Sequence, residues 1–106
     1  MSKTGIELIA DERKRQVEVE GWTAEHDAGH ETPCLAVAGA CYALDIAGHH
    51  AGAHNSWQYQ YIEAAGRLWP FDMEYFKPTA IDPIRQLVKA GALIAAEIDR
   101  IQNQGR

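Results

Sequence analysis

Residues 82–104, DPIRQLVKAGALIAAEIDRIQNQ, decide the fold class. Asp82 is placed to cap a helix and Pro83 to occupy its first turn, where the missing amide hydrogen costs nothing. After them Ile84, Leu87, Val88, Gly91, Ile94, Ala95, Ile98 and Ile101 recur at helical spacing, an apolar face about five turns long. Arg85, Lys89, Glu97 and Arg100 lie off that face. A second helix is expected over CLAVAGACYALDIA, residues 34–47, behind Thr32 as N-cap and Pro33 in the first turn, ending near Gly48. Its small residues Ala36, Gly39, Ala40 and Ala43 allow another helix to approach closely, while Leu35, Tyr42 and Leu44 supply bulk. Such a helix belongs at the centre.

Outward from these two, Thr4 and Glu7 have the spacing of a capping box, and a helix running to about Glu20 follows. Ile6, Ile9, Ala10 and Val17 form its narrow apolar stripe. ERKRQ reads as a solvated face, with Asp11 and Arg15 four residues apart. Arg13 is nearer the seam, which implies a carboxylate, carbonyl or phosphate partner, and Lys89 has a similar position on the last helix. A short helix is expected from Tyr59 to Leu68, then a turn or short helix within WPFDMEYFKP, residues 69–78. No alternating strand pattern and no repeat occur. The expectation is one all-α domain over residues 1–106: a compact bundle of three to four helices with two irregular loops, residues 21–33 and 49–58.

Composition bounds the function. Hydrophobic residues make up 46% of the 106 and charged ones 24%, the balance of a folded domain, and the net charge of −5 argues against general nucleic-acid binding, which needs a basic face. No stretch approaches the roughly 20 apolar residues of a membrane span, and no signal-type segment opens the chain, so a cytoplasmic protein is expected. Cys34 and Cys41 on one helix lie about 10 Å apart, too far for a disulfide.

Three groups of residues attract chemical attention. His26, Asp27 and His30, with Cys34 beyond, are zinc-competent, yet the paired knuckles of a structural zinc site are missing. No metal is expected; the histidines either fix the loop and cap the helix or line a ligand pocket. His49, His50 and His54, separated by glycine and alanine, read as a solvated loop. Trp69, Phe71, Tyr75 and Phe76 are expected in the core, although Asp72, Glu74 and Lys77 among them also suit a nucleobase pocket, which needs a flat apolar wall beside a few polar anchors.

Four segments, ERKRQVEVEGWTAEHDAGH (12–30), ACYAL (40–44), WPFDMEYFKP (69–78) and LVKAGALIAAEIDRI (87–101), together resemble a family of small proteins of tailed phages and prophages. The resemblance covers nearly the whole chain outside residues 45–65 and implies a viral setting rather than an activity. More distantly, ERKRQ and LVKAGALIAAEI look like the flanking helices of phage MazG-like all-α nucleoside triphosphate pyrophosphohydrolases. Those enzymes hold magnesium with ExxE and ExxD carboxylates. Here no glutamate has an acidic residue three positions after it, so the resemblance implies the helical frame without the usual metal ligands.

The reading that follows is a non-enzymatic, phage-type binder, sequestering a nucleotide-derived host immune signal of the cyclic oligonucleotide or cyclic ADP-ribose type. Arg13, His26, His30 and Lys89 are the expected phosphate anchors; Trp22, Trp69 and Phe71 are the expected base contacts. A homo-oligomer is expected, because so small a domain gains pocket walls by pairing. No cofactor is expected. The alternatives are a magnesium-dependent hydrolase, with Asp27, Glu31 and Glu97 gathering the ion, and an interaction protein without a ligand.

Overall fold

A computed structural model describes residues 2–21, 34–50 and 58–104. Thr4 caps α1 (Gly5–Glu18) through the expected box: its hydroxyl accepts from the Glu7 amide, and the Glu7 carboxylate accepts from the Thr4 amide at 2.9 Å. The helix stops two residues short of Glu20, and Gly21 takes φ +74°, the left-handed conformation glycine adopts without strain. The small-residue helix α2 (Cys34–His49) follows the first undescribed segment. Thr32 and Pro33 fall in that segment, outside the described residues. Helix α3 (Gln58–Leu68) and a 3-10 turn at Met73–Tyr75 lead to α4 (Pro83–Gln104), whose first turn is capped by Asp82 accepting from the Arg85 amide at 3.0 Å.

The architecture is all-α. No strand forms among the described residues, and none of their helices is long and apolar enough to cross a membrane. Helix α2 packs against both α3 and α4, as its small residues require, and α1 packs against α4. Gly39 is the point of closest approach: a Cβ there would sit 3.0 Å from the carbonyl oxygen of Ala90 and 3.1 Å from Cγ1 of Ile94. Ala40, by contrast, is exposed and makes no such seam. Leu35, Ala38, Tyr42, Ala90, Leu93 and Ala96 form the core, with Trp69, Phe71 and Phe76 packed against it.

Two helices bury faces rotated away from their apolar stripes, so that only part of each stripe, Ile9 on α1 and Val88 on α4 among it, is turned inward. On α1, Ile6 is 83% exposed and Ala10 is exposed, whereas Glu12 and Gln16 are buried. On α4, Ile84, Leu87, Ile94, Ile98 and Ile101 are about half exposed, whereas Gln86, Glu97 and Arg100 are buried beside Ala90, Leu93 and Ala96. The alanines let α2 approach this side, and the polar groups among them are paired. Gln86 Nε2 donates to the Tyr42 carbonyl and to Asp45 Oδ2, both at 2.9 Å, while its Oε1 accepts from the Thr79 amide. Glu97 receives Arg100 Nε on one oxygen and the Ala36 amide on the other. Burial is tolerated where every polar atom has a partner.

Candidate functional site

A cleft of about 850 Å³ opens where α1, α2, α4 and the 69–77 segment meet. Leu35, Tyr42 and Leu93 line its apolar part. Trp69, Phe71 and Tyr75 form an aromatic wall, and Glu12, Arg15, Gln16, Arg85 and Lys89 a polar one.

The aromatic wall is held by edge and tilted contacts. Trp69 meets Tyr42 at 5.4 Å and Phe71 at 5.7 Å, both near perpendicular, and lies 4.7 Å from Phe76. Its indole nitrogen donates to the Asp72 carbonyl at 3.1 Å, which turns the segment back on itself. The Tyr42 hydroxyl accepts from the Lys77 amide at 3.1 Å and ties the segment to α2. Burial raises the Tyr42 pKa, so the hydroxyl stays protonated at neutral pH.

On the polar wall, the buried Glu12 carboxylate is clamped by two arginines. Arg15 donates to both its oxygens at 2.9 Å, and Arg85 Nη1 donates to Oε1 at 2.6 Å. Burial pushes the Glu12 pKa up, but the hydrogen bonds and charges of Arg15 and Arg85 outweigh it and hold the carboxyl below its ordinary value. Arg15 also reaches Glu20 at 2.9 Å, so its expected pairing with Asp11 does not form; Asp11 pairs with Lys3 instead. Lys89 Nζ donates to the Lys77 carbonyl at 3.1 Å and stands 5.7 Å from the centroid of Tyr42. Desolvation, then the nearby Arg85, lowers its pKa. Gln16 is 2% exposed, and its Oε1 has no hydrogen-bond partner among the described residues.

Of the residues singled out from sequence, Trp69, Phe71 and Lys89 line this cleft. Arg13 does not. Its guanidinium lies 3.4 Å from Asp99, the carboxylate that a half-buried arginine implies, and it belongs to the α1–α4 contact rather than to the cleft. Trp22, His26 and His30 lie outside the described residues, as do Asp27, Glu31 and His54. Glu97 is engaged on both oxygens in the core and is not part of the cleft wall. His49 and His50 are exposed, with His49 3.7 Å from Asp45. Cys34 and Cys41 share α2 and form no disulfide with each other. No group of three or more metal-ligating side chains gathers among the described residues.

Glu12, Arg15 and Gln16 are hidden in the sequence because ERKRQ reads as surface, and Arg85 because it lies off the apolar face of the last helix. One signal was present: residues 9, 12 and 16 share a helix face, so Ile9, which packs over Gly91, carries Glu12 and Gln16 inward with it. No family model, no curated protein and no solved structure matches this chain.

Proposed function

We propose that the protein binds a nucleotide-like small molecule in this cleft, without transforming it. The observation that carries the reading is the apposition of an aromatic wall, Trp69, Phe71 and Tyr75, to the cations Arg15, Arg85 and Lys89 across a cleft of about 850 Å³. That volume lies within the roughly 300–1,000 Å³ of small-molecule sites. A base stacks on the open faces of the half-buried Trp69 and Phe71 or on the exposed Tyr75, and a phosphate approaches the guanidinium groups, which favour planar oxyanions. Gln16, with a buried acceptor lacking a partner among the described residues, suits a ligand N–H. In a phage setting the ligand is a nucleotide-derived host immune signal, and the binding sequesters it.

The test is a thermal-shift panel of mononucleotides, cyclic oligonucleotides and cyclic ADP-ribose species, with and without magnesium, followed by chromatography of the recovered ligand. A ligand at 100 times its Kd adds about 2.7 kcal/mol of stability. Recovery of intact ligand supports the binder. Magnesium-dependent release of pyrophosphate replaces it with the MazG-like hydrolase, and no shift across the panel leaves an interaction protein.

A further inference from the structure

We infer that the exposed apolar stripe of α4 is the interface of an antiparallel homodimer. Ile84 is 64% exposed, Leu87 52%, Ile94 46%, Ile98 53% and Ile101 56%, all on a helix whose opposite side carries Lys89 and Leu93 into the cleft. With Gly91 their spacing runs three, four, three, four, three, the a and d positions of a heptad seam. Ile9 of α1 covers Gly91 and Ile94 touches Gly39 of α2, yet the five large side chains of the seam each keep about half of their surface open to solvent.

The occupant is a second copy of the chain. Five half-exposed side chains present on the order of 500 Å² of apolar surface, so two copies would remove about 1,000 Å², the lower bound of a specific interface. Val88, Ala95 and Gln102 border one edge of the seam and Ala90, Glu97 and Gln104 the other; the one charge among them, Glu97, is buried and held by Arg100, so two chains of net charge −5 meet there without an exposed carboxylate on either edge.

The polarity of the helices selects the antiparallel arrangement, because antiparallel helix dipoles attract and parallel ones repel. When a positions oppose d positions, Ile84 faces Ile101 of the second copy and Leu87 faces its Ile98. In the middle, Ile9, which lies over Gly91 within 2.5 Å of where a Cβ would stand, meets its Ile94, so every layer holds large apolar side chains.

Analytical ultracentrifugation of the full chain at micromolar concentration should give twice the 11.8 kDa chain mass. The double variant Leu87→Glu/Ile98→Glu should sediment as a monomer with unchanged helical circular dichroism. A wild-type monomer overturns the proposal, as does a dimer that survives both substitutions. Register is read by disulfide trapping in a Cys34→Ser/Cys41→Ala background, which stays decisive if the charged variant fails to fold. Ile84→Cys and Ile101→Cys variants should cross-link when mixed and not separately; cross-linking of either alone excludes the antiparallel pair.

Discussion

Glu12 is a buried carboxylate held between two cations on the wall of the cleft. Its carboxylate takes hydrogen bonds from Arg15 and Arg85, and charge-assisted bonds of this kind are the strong ones. Glu12→Gln keeps the shape and removes the charge, leaving two guanidinium groups facing a neutral amide. We expect a loss of about 2 kcal/mol by urea denaturation, moderated because both arginines are about one-third exposed and partly solvated. Since the folded pKa of Glu12 is depressed below its ordinary 4.5, its contribution is complete above that value and is lost as pH falls through the folded pKa. Wild-type stability should therefore decline on acidification below about pH 4.5, and Glu12→Gln should show a shallower decline. A parallel decline in both proteins would remove Glu12 as the cause. Glu7, also depressed, by the backbone and then the hydroxyl of Thr4, acts in the same direction.

At the scale of elements, the packing of α2 on α4 depends on Gly39. Alanine there gains helix propensity of about 1 kcal/mol, but its Cβ meets a backbone carbonyl at 3.0 Å, which cannot swing aside. The net expectation for Gly39→Ala is a loss of about 1–2 kcal/mol, read as a lower urea midpoint; an unchanged midpoint would show that the helices can separate freely. This junction was legible in the sequence, because a run of small residues flanked by Leu35 and Tyr42 signals a central helix. So were the cap of α1, the extent of α3 within a residue and the start of α4. The buried faces of α1 and α4 were not. Periodicity identifies an apolar stripe but not what covers it, and a stripe reserved for another surface looks the same as a core. Partnered polar residues such as Gln86 and Glu97 carry no hydrophobic signal, since their burial depends on atoms supplied from distant parts of the chain: Thr79, Tyr42, Asp45 and Ala36.

For the whole molecule, α4 separates two surfaces, with the cleft on one side and the isoleucine seam on the other. The cleft was half legible. Trp69 and Phe71 could be picked out because aromatics beside charge are unusual, and Lys89 because it stands near the seam of its helix, while Glu12, Arg15 and Gln16 were hidden in a run that resembles ordinary surface. If the seam joins two copies, folding is coupled to association, and the Tm should rise with protein concentration. Differential scanning calorimetry over a hundredfold concentration range should show that rise for the wild type and a flat response for Leu87→Glu/Ile98→Glu. Trp69→Ala, on the far side of α4, should keep the wild-type concentration dependence.

The clamp on Glu12 bears on which anions the cleft admits. Cells are full of inorganic phosphate and sulfate, and a bare pair of arginines would be occupied by them. Here a resident carboxylate already satisfies Arg15 and Arg85, so an incoming oxyanion must displace or share it, and a small free anion has nothing else to offer. A ligand that also stacks on Trp69 and Phe71 brings the additional attraction. On the proposed binding, the internal carboxylate would compete with inorganic anions for Arg15 and Arg85, and an aromatic anion would gain over them by stacking on the neighbouring rings.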